Sequence, residues 1–294
     1  MNMRRAVAFV FGSALLLASH DVATTQERTA TDLIHVAAGY LATYGSKVSG
    51  VTLEETYTIT DVSSGRMTTP QRLSSDVVLL NLAGKLIALR DVFAIDNNPL
   101  RERQPRITAL LREPTEAAWQ QAQEYATESY RHMRADLIMR LNEPTLALQF
   151  LTPENQPKVT FKLDGRKKFD GIETLGLRFE EAKNRDSSYV IKTRGNAFAS
   201  GRLWIDPATG RIHQTELWLQ SGSETARITV TYARHATLDL WLPSSMLDDY
   251  QTSESTGEFR NNMGAGGYSA RQAFECRALY SNARYTPIEL SVSK

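Results

Sequence analysis

Apolar and polar residues alternate with a period of two along most of this chain, and that rhythm predicts β-structure. It runs through VTLEETYTIT (51–60), RLSSDVVLLNL (72–82), LIALRDVFAI (86–95), PKVTFKL (157–163), GLRFEEA (176–182), SYVIKT (188–193), ARITVTYA (226–233) and TPIELSV (286–292). β-Branched and aromatic residues are frequent in these stretches, as they are on pleated, half-buried surfaces. Short turn signals separate them: SSGR, DNNP, LDGRKK, DPATG and QSGSE. Strands joined by tight turns pair antiparallel, because parallel neighbours need longer crossovers. NNMGAGGYSA (261–270) reads as a flexible surface loop, and it lacks the Lys and Ser/Thr of a phosphate-cradling loop.

Two stretches keep helical spacing instead. In the first, Leu33, Ala37, Leu41, Tyr44 and Val48 recur at steps of three and four, Thr29 with Asp32 resembles a capping box, and the Gly45 to Gly50 region ends the run. The second carries Trp119, Ala122, Ala126, Tyr130, Met133, Leu137 and Leu141, with Pro114, Glu113 and Glu116 at its start and Pro144 at its stop. A shorter helical stretch, TLALQFL (145–151), follows. Such stripes fit helix faces packed on a sheet. The predicted fold is therefore α+β: a large, mainly antiparallel sheet with two or three helices on one face. No internal repeat and no linker rich in Pro, Gly and Ser divides it.

GRLWIDPATGRIHQTELWL (201–219) has its own logic. Pro207 pre-sets a negative φ and Gly210 supplies the positive φ that closes a hairpin. With 207–210 as a four-residue loop, Asp206 opposes Arg211 and Trp204 pairs with His213. That puts Trp204, His213, Thr215, Leu217 and Leu219 on one face, and Leu203, Ile205, Ile212, Glu216 and Trp218 on the other. A one-residue slip would place Trp204 with Ile212 and Trp218 instead. In either register apolar residues occupy both faces, so something must cover the second one: a helix, a strand of a curled sheet, a partner protein or an apolar ligand. Left uncovered, each large side chain forgoes about 1.5–3 kcal/mol of burial.

The first residues change the setting. Arg4 and Arg5 precede an uncharged, mostly apolar run from Ala6 to Ala18, the n- and h-regions of a secretory signal too short to span a bilayer. Residues 1–23 are expected to be removed, with cleavage somewhere in 18–23, leaving 24–294 as a single soluble domain in the periplasm or outside the cell. Without Arg4 and Arg5, 32 basic residues face 33 acidic ones, so no net charge draws the chain to nucleic acid or anionic lipid. The only cysteine, Cys276, can form no internal disulfide and reads as a small buried apolar residue.

Candidate chemistry is sparse. The histidines are His20, His35, His132, His213 and His235, and no HExxH or Cys/His cluster with metal-ligand spacing joins them. His213 and His235 lie on neighbouring strands near Glu216, Glu224 and Asp239, where a carboxylate–histidine pair is conceivable, but no catalytic residue, metal or cofactor is assigned. Glu55 is more telling, because it shares a strand face with Val51, Leu53, Tyr57 and Ile59. Either it is buried and paired with one of Arg90, Arg101, Arg103 or Arg106, fixing strand order, or it lies at an edge open to water.

Several stretches carry a family resemblance: AAGYLATYGSKVSGVTLEETY, QRLSSDVVLLNL, LRDVFAIDNNPLRER, EPTLALQFLTPENQPKVTFK, GRLWIDPATGRIHQTELWL, LWLPSSMLDDY and ALYSNARY. Together they resemble exported bacterial proteins akin to the outer-membrane lipoprotein-sorting carrier (LolA-like) superfamily. The resemblance implies a strongly curved sheet, an incomplete barrel, whose concave face is filled by helices and which in the carriers receives acyl chains. It supplies no catalytic residues. The leading expectation is an exported protein holding an apolar small molecule or lipid between sheet and helices, lined by Trp204, Trp218, Leu217, Trp119 and Tyr130. The alternative is a self-filled half-barrel that meets an envelope protein partner as an interaction or sensing module. A hydrolase built on the His213 and His235 region ranks last.

Overall fold

The computed structural model describes residues 28–63, 68–133, 141–182, 197–222, 224–252, 255–261, 264–269 and 272–288. Helix α1 (Ala30–Val48) precedes β1 (Val51–Asp61), β2 (Gln71–Leu82), β3 (Lys85–Ile95) and the short β4 (Asn98–Pro99). Then come α2 (Arg106–Leu110), α3 (Glu116–Tyr130) and two 3-10 turns at Leu146–Leu151 and Gln156–Lys158. A six-strand meander follows, of β5 (Val159–Phe169), β6 (Ile172–Glu181), β7 (Ala197–Ile205), β8 (Ile212–Ser221), β9 (Glu224–His235) and β10 (Leu240–Thr252). A hairpin of β11 (Ser255–Asn261) and β12 (Gly264–Ser269) leads into the last strand, β13 (Gln272–Tyr285).

All strands but β11 and β12 form one open antiparallel sheet in the order β4-β3-β2-β1-β13-β10-β9-β8-β7-β6-β5. The last strand therefore welds the first meander to the second. The sheet is curled, as its contacts with α1 require. Seven strand spacings separate β2 from β6 and eight separate β2 from β5, about 34 and 38 Å if flat, whereas α1, at 19 residues, is only about 28 Å long from end to end. Yet α1 packs against β2 near one end and against β5 and β6 at the other.

Helix α1 starts at the capping box of Thr29 and Asp32 and buries Leu33, Ala37, Leu41, Tyr44 and Val48 in the bowl. The 3-10 turn Leu146–Leu151 lies beside it with all six residues buried. Phe150 stacks on Phe179 at 4.2 Å. The Phe179 ring can reach it because Gly201, across the ladder, has no side chain: a Cβ there would meet the ring at 2.4 Å. The helices also extend to the outer face. Val78, Leu80 and Leu89 point away from the bowl and pack with Ile107, Leu111, Ala122 and Ala126 of the α2–α3 region, while Tyr130 and Met133 rejoin the inner core. Helix α3 thus rounds the β3 edge.

Several local expectations change. LDGRKK is not a turn but a bulge inside β5, where Gly165 takes φ +83° and the ladder shifts between Leu163 and Arg166; the turn follows at Asp170 and Gly171, both with positive φ. The stretch read as a loop at 261–270 includes strand β12, paired with β11. The TPIELSV stretch is not strand at 286–288, since β13 ends at Tyr285. The leader, SYVIKT and Leu137 lie outside the described residues. Strands β10 and β13, central in the sheet, were hidden in the sequence. Pro243 and an Asp pair interrupt the alternation of β10, and outward Glu275 and Arg277 lend β13 a polar character.

Candidate functional site

The inner face of the bowl carries an ion pair. Glu55 on β1 meets Arg90 on β3 in a two-pronged contact, Nε to Oε2 at 2.5 Å and Nη2 to Oε1 at 2.8 Å. Ser75 of β2, the strand between them, donates its hydroxyl to Glu55 at 2.7 Å, and Arg90 also donates to the Asn142 carbonyl and side-chain oxygens at 3.1 and 2.7 Å. Both charged side chains are shut off from solvent. Burial opposes the charge on Arg90, and the Glu55 carboxylate outweighs it. The other arginines hold the chain after β4 onto the outer face. Arg103 reaches Asp76 at 2.6 Å and Glu54 at 3.0 Å, while Arg101 and Arg106 converge on Asp91 at 2.5 and 2.7 Å.

A second buried carboxyl had not stood out in the sequence. Asp248 on β10 points inward and accepts a hydrogen bond from the Tyr57 hydroxyl at 2.5 Å. Burial pushes it up to about 7, moderated by that hydroxyl. Its neighbour Cys276 is buried too, and burial raises the thiol, so it has none of the thiolate character a nucleophile needs. The signal for Asp248 was present: it interrupts an inward stripe of Met246 and Tyr250 as Glu55 interrupts its own.

The hairpin resolves the question of its two faces. The four-residue loop forms, with the Asp206 N–H donating to Arg211 and Gly210 to Asp206. A bulge at its foot then shifts the ladder, so that Ile205 opposes Ile212 and Trp204 opposes Gln214. Trp204 and Trp218 consequently share the outer face, while Leu217, Ile205 and Ile212 belong to the inner core. The cover over Trp204 comes from the neighbouring strands. Its ring lies across Gly176 toward β5, where Phe169 stands 6.4 Å away, and Lys167 and Arg202 sit at 5.6 and 5.1 Å from it. The indole N–H donates to Glu216 at 2.8 Å.

The five residues expected to line one cavity are therefore not together. Trp119 packs outside β2–β3, Trp204 and Trp218 lie on the outer face of the hairpin, and Leu217 and Tyr130 face inward. His213 is 1 % exposed, stacked on Phe169 at 5.6 Å and set edge-on to Trp241 at 4.6 Å, and burial lowers its basicity. His235 instead accepts the Leu238 N–H at the β9–β10 turn. Among the described residues no group of three or more His, Cys, Asp or Glu can hold a metal.

Grooves open on the outer face. One of about 460 Å³ runs past Arg178, Ser200, Trp218, Arg227 and Asp249, and one of about 680 Å³ continues from Asp249 past Leu247, Arg277, Leu279 and Thr58. A third of about 410 Å³ lies beside Thr160, Lys162 and Arg178. Leu247 and Leu279 are 53 % and 45 % exposed there, and Arg227 stands 6.0 Å from the Trp218 ring.

This geometry defines a class: an open, curled antiparallel sheet whose inner face is packed by α1 and neighbouring helical turns. No family model and no curated protein matches the chain. Among solved structures it is similar to a lipoprotein-sorting protein domain from Vibrio parahaemolyticus, at 13% identity and TM-score 0.39, covering 87% of this chain and 93% of that one. It is also similar to a DUF1329 family protein from Desulfovibrio piger at 11% identity and TM-score 0.37, covering 89% and 95%. A LolA superfamily protein from Nitrosomonas europaea matches at 12% identity and TM-score 0.32, over 90% and 96%. Among the described residues no helix is long and apolar enough to cross a membrane.

Proposed function

We propose that this chain is an exported binding module of the bacterial envelope, working through protein contacts on the outside of its curled sheet. The bowl serves as frame. One observation supports this reading above the lipid-holding one. The inside of the bowl is occupied by α1, the Leu146–Leu151 turn and the Glu55–Arg90 pair, whereas exposed leucines and a half-buried tryptophan line the outer grooves. Exposed apolar side chains lining adjoining grooves mark binding surfaces more often than they mark chance. A leader of the kind expected from the first residues would bring the protein to where such partners are met.

Native mass spectrometry of the chain purified from its own host tests the reading. The expected mass is that of the protein alone, with no binding of a fluorescent fatty acid. A stoichiometric lipid that leaves on unfolding would overturn it and restore the carrier reading. Trp218→Glu combined with Leu247→Glu should keep the protein folded with at most a small fall in the unfolding midpoint, since Leu247 is exposed and Trp218 half-buried, and abolish cross-links to envelope proteins formed by the unaltered chain.

A further inference from the structure

The two edges of the sheet are treated differently. At one, β4 is two residues long and ends in Pro99, and the Val92 N–H of β3 behind it donates to Ser129 on α3 at 2.9 Å. That edge is closed to further pairing. At the other, β5 runs for eleven residues, and among the described residues no strand pairs with its free side.

Charge along β5 is one-sided. Lys162, Arg166, Lys167 and Lys168 are exposed, and the strand's one acid, Asp164, is held by Arg202 of β7 at 2.5 Å. Lys167 donates to Gln214, and Lys168 stands 3.4 Å from Glu173. Lys162 lies directly opposite Arg178, and Arg178 directly opposite Arg202, so three cations form a row across β5, β6 and β7. Like charges facing one another across a ladder are destabilising. Asp164 and Glu216 balance Arg202, but among the described residues neither Lys162 nor Arg178 forms an ion pair. Glu180, on the same face, is itself engaged. The 410 Å³ groove lies over this uncompensated pair. On the other face of the same edge, Phe161 is half-buried and Leu163 is 43 % exposed.

We infer that the free edge of β5 binds an extended polypeptide segment of alternating acidic and apolar residues, which adds a twelfth strand to the sheet. Its main chain takes up the open ladder groups, its carboxylates meet Lys162 and Arg178 outside, and its apolar side chains cover Phe161 and Leu163 inside. A second copy of this chain is the wrong occupant, since β5 against β5 sets lysines against lysines. The same charges that prevent self-pairing select an acidic strand. The inference rests on the reading of this protein as a protein-binding module and names the class of partner.

The test uses the full mature chain and a blocked, fluorescently labelled ten-residue peptide of alternating Glu and Val, with a Lys/Val peptide as control. Binding of the acidic peptide should be followed by anisotropy, weaken with salt and slow amide exchange across 160–168. Lys162→Glu with Arg178→Glu should weaken it at least tenfold. Both positions are exposed, so the fold should persist; if the double variant unfolds early, Lys162→Glu alone should still weaken binding. Three results would each overturn the inference: no protection of β5 at about 1 mM peptide, equal binding of the Lys/Val peptide, or β5 amides protected by self-association without peptide. A bound lipid in native mass spectrometry would sink the function proposed above while leaving the β5 exchange result standing, so the two failures can be told apart.

Discussion

Glu55 and Arg90 each satisfy the other's buried charge, which makes the pair far more costly to break than to replace. Glu55→Gln leaves the guanidinium buried without its counter-ion and should lower stability by about 3–5 kcal/mol, read from urea unfolding. Glu55→Gln with Arg90→Met should recover most of that loss. An unchanged midpoint in the single variant would show that the pair contributes nothing. Asp248 makes the complementary case. Its carboxyl releases a proton near 3.8 when unfolded and near 7 when folded, so between those values the folded chain holds a proton that the unfolded chain has lost. Its contribution is complete below about pH 4 and falls away as pH rises to about 7. From pH 5 to pH 8 this group alone should remove about 2–3 kcal/mol. Asp248→Asn keeps an acceptor for Tyr57 and should remove about half of the combined slope, leaving a comparable share to Glu143, which burial also pushes up to about 7. Glu55 was legible because a carboxylate interrupted an apolar stripe. Its partner was not, because four arginines qualified and only the packing of β3 two strands away puts Arg90 inward.

At the scale of elements, the turns and bulges decide which face a side chain takes. Gly210 shows how tightly one turn is placed, with φ +74° and a would-be Cβ only 2.2 Å from the Val36 carbonyl oxygen of α1. Gly210→Ala should therefore cost about 2–3 kcal/mol, strain and displacement of α1 together. Gly171→Ala has a comparable positive φ but open space around it, and should cost about 1–2 kcal/mol. Thermal unfolding of the two variants side by side separates the clash from the conformational strain; equal losses would show that the hairpin does not press on α1. Turn chemistry made the 207–210 loop readable in advance. The bulge after it was not, since nothing in Ile212 or His213 calls for one, yet it alone moves Trp204 onto the face of Trp218. The Asp-Gly pair at 164–165 misled in the opposite sense, because a positive-φ glycine serves a bulge as well as a turn.

For the whole molecule, α1 packs against strands toward both ends of the sheet, so folding the ends separately would leave each with a poorly filled inner face. The expected outcome is single-domain behaviour: calorimetry should show one transition, with van't Hoff and calorimetric enthalpies in agreement. The sharper test replaces Ala37, fully buried at the middle of the α1 stripe, by Glu. A charge driven into the bowl displaces the helix. If α1 is the shared filling, amide exchange should accelerate together in β2 and in β5–β6, although seven or more strand spacings lie between them along the sheet. Acceleration confined to β2 would mean that the second meander fills its own concavity, and the case for a bowl closed by its own helix would fail there. The curl was not readable from periodicity, because alternation fixes which residues face inward and is silent on how far a sheet bends. What bends it here is a 19-residue helix with apolar residues enough to satisfy strands from opposite ends.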